Sequence, residues 1–126
     1  MTTDIPRPQY LTFAGKRVVV LDEEEYDRLS RRADVWEPVL PASDANGNFP
    51  AVATANVLTA LAVLRSRRRL GLSQAELARL AGIRLATLDR IERADPADRM
   101  PTVRAIDKID AALKAAAVSR KSRNGR

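Results

Sequence analysis

The chain has 126 residues, 30% of them charged and only 4% aromatic, which leaves room for one small domain, or a small domain with an extension, on an aliphatic core. It contains neither cysteine nor histidine, which excludes disulfides, thiolate zinc sites, histidine-based triads and the commonest general acid or base, so no catalytic residue, metal site or cofactor is expected. The formal charge of +6 is uneven: residues 1–50 carry six Lys or Arg against nine Asp or Glu, and residues 51–126 carry sixteen against seven.

At the N-terminus no charged stretch leads into an apolar segment, which predicts a cytoplasmic rather than a secreted protein. Tyr10, Leu11 and Phe13 precede Ala14-Gly15-Lys16, and the run from Arg17 to Leu21 is rich in β-branched residues, so a small hairpin is expected. Asp22 and Glu25 then form a D-x-x-E helix start. Acidic residues crowd its first turn, Tyr26 and Leu29 give it an apolar edge, and it should end near Arg32. Trp36, Pro38, Leu40, Pro41 and Pro50 mark an irregular connection with Trp36 as its anchor. Asp44, Asn46 and Asn48 around Gly47 superficially resemble a calcium loop, but Ala55 stands where the chelating glutamate belongs, so the segment reads as a turn. A lone two-stranded hairpin is marginal in water, so the N-terminal module needs a partner surface, and edge pairing between two copies is the economical one.

Val57, Leu58, Leu61 and Leu64 define a helix that runs into Arg65, Arg67, Arg68 and Arg69 and stops at Gly71. The stretch Leu72 to Glu92 is the most informative in the chain. Ser73 and Glu76 form a capping box, Leu77, Leu80 and Ala81 share one face, and Ala78 is small where a second helix must cross closely. Gly82 lets the chain reverse, Ile83 plugs the gap between the helices, and Leu88 and Ile91 resume the apolar stripe. The outer face of the second helix, with Arg84, Leu85, Ala86, Asp89, Arg90 and Arg93, has no core to serve. These features read as a helix-turn-helix whose second helix enters a DNA major groove. Thr102 begins a last helix in which Val103, Ile106, Ile109 and Leu113 pack against the motif, and residues 118–126 read as a basic disordered tail.

The motif resembles the Xre family of lambda repressor-like regulators. Arg67, Gly71, Leu72, Ser73, Gln74, Leu77, Ala78, Gly82, Ile83, Leu88, Ile91 and Glu92 match its pattern, and the resemblance covers about residues 54 to 114. It implies a structural ion pair between Arg67 and Glu92 and a phosphate contact from Gln74, which with Ser73 opens the second helix. Two departures stand out: Ala94 replaces the family's usual glycine, followed by the longer loop DPADRMP, and the recognition helix opens with Leu85 and Ala86 rather than polar residues. Those two could meet thymine methyls, Arg84 or Arg90 could fork onto guanine, and Asp89 could accept from cytosine N4. A further segment, GKRVVVLDEEEYDRL, resembles the N-terminal part of Xre-type antitoxins of type II toxin-antitoxin systems, which implies a cognate toxin as partner.

The basic half of the chain favours double-stranded DNA as its polyanion, because each phosphate contact releases counterions. A membrane surface is disfavoured: the longest mostly apolar run, Ala51 to Leu64, is interrupted by Thr54, Asn56 and Thr59. The expected architecture is mainly α, a helix-turn-helix bundle of about five helices with an N-terminal hairpin and helix. Its expected parts are a dimerisation or partner-binding module at 1–35, a linker at 36–53, the DNA-binding domain at 54–117 and the tail at 118–126. The expected function is that of a homodimeric, sequence-specific repressor on the nucleoid, autoregulating as an antitoxin. The rival from another class is a protein-interaction adaptor whose helix-turn-helix binds no specific DNA.

Overall fold

A computed structural model describes residues 9–95 and 99–124. Residues 96–98 of the DPADRMP loop, 125–126 of the expected tail and 1–8 of the expected N-terminal module lie outside the described residues. The chain divides into two compact units, Met1–Trp36 and Glu37–Arg126. Among the described residues it is mainly helical, with five helices and one two-stranded antiparallel sheet.

In the first unit, strand β1 (Gln9–Phe13) pairs with β2 (Lys16–Val20) in the register Gln9 to Val20 through Phe13 to Lys16. Ala14 and Gly15 both take positive φ, 50° and 75°, the tight-turn geometry whose twist matches that of paired strands. Leu11, Phe13 and Val20 are exposed on one face of this hairpin, and Tyr10 and Val19 on the other. Arg17 lies over the Tyr10 ring at 4.7 Å. Helix α1 (Glu23–Arg32) starts where the Asp22 carboxylate accepts from the Glu25 N–H at 2.7 Å. Only half of the expected reciprocal cap forms: the Glu25 carboxylate turns to Arg28, which draws it away from the Asp22 backbone. Trp36 folds back onto α1, donating its indole N–H to Asp27 at 3.2 Å and stacking beneath Arg31 at 4.3 Å.

In the second unit, the connection from Glu37 is tied to helix α2 (Ala51–Arg69) by an ion pair of 2.6 Å between Glu37 and Arg65. Helices α3 (Gln74–Ala81), α4 (Leu85–Arg93) and α5 (Val103–Asn124) complete a bundle in which α2 packs on α4 and α5, and α3 on the same two. Its centre is aliphatic: Val63, Leu77, Ala78, Ala81, Leu88, Ile91, Ile109 and Ala112, with Ile83, Ile106 and Leu113 packed around them. Complete burial of a leucine or isoleucine side chain stabilises by about 1.5–3 kcal/mol, which makes Leu64, Leu77, Leu88 and Ile109 the main apolar anchors.

Three expectations are corrected by the packing. Leu58 and Leu80, placed by spacing on the core faces of their helices, are each 54% exposed, because neighbouring alanines already fill the close crossings there. Val103 is exposed in the first turn of α5, ahead of the point where that helix meets α3. The tail expected to be disordered from residue 118 continues instead as α5 up to Asn124. Ala115 to Ala117 carry high helix propensity into it, Lys114 pairs with Asp110 one turn back, and Arg120 donates to the Arg69 carbonyl at the end of α2.

The turn between α3 and α4 depends on backbone freedom. Gly82 sits at φ 69°, ψ 34° and sends its N–H back to α3, while the Ile83 N–H closes onto the Ala78 carbonyl at 3.0 Å. A Cβ at position 82 would meet no atom within 4 Å, so an L-residue there incurs only backbone strain. Gly82→Ala is expected to lower unfolding stability by about 1–2 kcal/mol in urea titration without altering the helical circular-dichroism spectrum.

Candidate nucleic-acid interface

The interface is framed from beneath by one buried polar network. Arg67, fully buried on α2, donates from Nε and Nη2 to the two carboxylate oxygens of Glu92 on α4, both at 2.9 Å, and from Nη1 to the Leu72 carbonyl at 3.0 Å. The parallel fork matches guanidinium to carboxylate geometry. Gln74, first residue of α3, completes it: its amide donates to Glu92 at 2.9 Å and, at 3.4 Å, to Asp89. One carboxylate thus joins α2, α3 and α4. The Arg67 to Glu92 pair is the structural ion pair that the family resemblance implies, whereas Gln74, expected at a phosphate, has its side chain turned toward α4.

The N-terminus of α3 is fixed locally. The Ser73 hydroxyl accepts from the Glu76 N–H at 3.1 Å, and the Glu76 carboxylate accepts from the Ser73 N–H at 3.2 Å. That backbone hydrogen bond, with the Ser73 hydroxyl, holds the Glu76 carboxyl below its ordinary value of 4.5. Side-chain bonds from Arg28 and Arg65 lower those of Glu25 and Glu37 in the same sense. The folded chain therefore binds fewer protons than the unfolded chain near pH 4.5, and stability should fall as the pH drops through that region. With no histidine in the chain, stability is expected to stay flat between about pH 6 and 8, a profile that urea midpoints measured across pH will check.

Helix α4 presents the expected outer face to solvent. Arg84 occupies its N-cap position at φ −72°, ψ 144°, with no side-chain bond to the helix start. Arg84, Leu85, Ala86, Arg90 and Arg93 are all exposed, whereas Leu88, Ile91 and Glu92 face inward. Asp89 differs from the others: half-buried, it takes an ion pair from Arg93 at 2.8 Å in addition to the Gln74 contact. The i, i+4 spacing of Asp89 and Arg93 is the signal in the sequence that points to that pair. Three arginines and two small or apolar side chains of α4 and its N-cap are thus left in solvent, with the single carboxylate among them partly neutralised. Ala94 ends α4 in the left-handed region, φ 49°, where the family pattern has glycine; its methyl is buried against Val57 and Ala60.

Among the described residues no three His, Cys, Asp or Glu are grouped to hold a metal ion, and no helix is long and apolar enough to cross a membrane. Two short helices meeting at a left-handed glycine, with a cationic outer face on the second, define a DNA-binding helix-turn-helix bundle. Residues 64–116 match the family model for Helix-turn-helix, and this segment is an Xre, lambda repressor-like domain, the kind that belongs to DNA-binding regulators of transcription. No curated protein and no solved structure matched the chain.

Proposed function

We propose that the protein is a homodimeric, sequence-specific transcriptional repressor that autoregulates its own operon as the antitoxin of a type II toxin-antitoxin pair. The observation that carries the DNA-binding half is the outer face of α4, where Arg84, Arg90 and Arg93 are exposed and Arg84 holds an N-cap position to which its side chain contributes no cap bond. A cation at a helix N-terminus opposes the helix dipole, so Arg84 is better explained by a phosphate or a base than by folding. Gln74 and Ser73 would lie at the backbone, and Leu85 and Ala86 would meet apolar base edges.

The antitoxin half rests on the segment from Gly15 to Leu29 and on the first unit, whose hairpin exposes apolar side chains on both faces next to an acidic α1. In this reading residues 1–35 bind a second copy or the toxin, residues 54–117 bind DNA, and the protein works in the cytoplasm, on the nucleoid. Co-expression with the product of the adjacent gene tests it: a stable complex that loses toxicity supports the pair, and a genome with no small neighbouring toxin gene overturns it. The adaptor reading has one observation in its favour, the carboxylate of Asp89 on the proposed DNA face. It requires that Arg84→Ala with Arg90→Ala leave DNA affinity unchanged.

A further inference from the structure

Among the described residues β1 and β2 pair only with each other, so each strand has one open edge. Helix α1 of the same unit leaves both faces open as well: Leu11, Phe13 and Val20 are 55%, 74% and 41% exposed on one, and Tyr10 and Val19 are 57% and 53% exposed on the other. A two-stranded sheet in this condition is marginal in water, and further strands are what stabilise it.

The register determines which backbone groups face outward. A two-residue turn makes the flanking Phe13 and Lys16 a hydrogen-bonded pair, and bonded and non-bonded pairs then alternate along the ladder. Leu11 therefore bonds to Val18, whereas Tyr10 and Thr12 on β1, and Arg17 and Val19 on β2, turn their N–H and C=O groups away from the hairpin. The two edges differ in charge. Lys16 and Arg17 stand along β2, the kind of guard that discourages strand addition, while β1, QYLTF, carries no charge.

β1 is also complementary to itself. When a second copy runs antiparallel with Leu11 opposite Leu11, each Tyr10 faces the other copy's Thr12, so every outward N–H and C=O of these two residues finds a partner. Registers centred on Tyr10 or on Thr12 leave the other of the two beyond the end of the partner strand.

We propose that β1 is a homodimer interface: two hairpins join edge to edge through Tyr10 and Thr12 into a four-stranded antiparallel sheet, in the order β2-β1-β1-β2, with Leu11 on the two-fold axis. This arrangement rests on the homodimer reading above, and it gives to a second copy the edge that a toxin strand would otherwise take. Leu11, Phe13, Val18 and Val20 of both copies then form one continuous apolar face.

A chain without cysteine makes the axis directly testable. In a non-bonded antiparallel pair the Cα atoms are about 4.5 Å apart, within disulfide reach, whereas the Val18 residues of the two copies would be three strand spacings, about 14 Å, apart. The experiment oxidises full-length Leu11→Cys and Val18→Cys in parallel and follows the mass of the parent by sedimentation equilibrium. The parent should be dimeric at about 100 μM, since a five-residue edge is a small interface of micromolar affinity. Leu11→Cys should form a disulfide-linked dimer at least about tenfold faster than Val18→Cys. Thr12→Pro removes an N–H that β2 does not use, and should weaken the dimer at least about tenfold. A dimer in which Val18→Cys links faster, or in which neither variant links, overturns this surface and leaves the homodimer reading standing. Undiminished dimerisation of Thr12→Pro also overturns the surface. A parent that is monomeric at that concentration overturns both.

Discussion

Glu92→Gln is expected to lower the unfolding free energy by about 3–5 kcal/mol, the typical cost of removing one partner from a buried ion pair. The substitution keeps the shape of the side chain and removes its charge, so the fully buried Arg67 loses the carboxylate that takes its parallel fork. A small domain has about 5–15 kcal/mol in total, so the loss is a large share of it, and the urea midpoint should fall by about 3–5 M for an m-value near 1 kcal/mol/M. The network also loses its hub, because the carboxylate that joins Arg67 to Gln74 is the contact common to α2, α3 and α4. Replacing both partners by apolar residues, Arg67→Met with Glu92→Leu, should recover most of the loss or exceed it, since neither charge then has to be desolvated. A Glu92→Gln variant within about 1 kcal/mol of the parent would mean that the pair is solvated in solution.

Arg84→Ser is expected to move stability and DNA affinity in opposite directions. Serine is among the preferred N-cap residues, whereas Arg84 makes no cap bond and places a cation at the positive end of α4. Stability should therefore rise by about 1 kcal/mol in urea titration. If Arg84 contacts a base, specific affinity should fall by about 1–3 kcal/mol, five- to more than a hundredfold. A phosphate contact would instead weaken all sequences alike and reduce the salt slope by about 1. A variant that is more stable and binds DNA as tightly as the parent would remove Arg84 from the interface and favour the adaptor reading.

Most of the helix-turn-helix was readable from local chemistry. Ser73 with Glu76, Gly82, and the apolar positions at Leu77, Leu88 and Ile91 each act within a few residues, so their sequence spacing already fixes the geometry. What was not readable depends on which element covers which. Leu58 and Leu80 carry the correct helical phase but face solvent, because a helix stripe is wider than the neighbour that packs on it. Gln74 looked outward by resemblance, and its bond to Glu92 required knowing how closely α3 crosses α4. The burial of Arg67 was equally hidden, since an arginine and a glutamate 25 residues apart look the same in sequence whether wet or dry. The helical end of α5 was missed because its support comes from the far end of α2, through Arg120.

The proposed function requires that the outer face of α4 read DNA sequence. Fluorescence anisotropy of the full chain with its own upstream DNA and with a scrambled duplex, across a salt series, tests it most directly. A preference of about a thousandfold or more for the upstream DNA is expected, with a salt slope that reports the phosphate contacts. Equal affinity for the two duplexes at every salt concentration would contradict it.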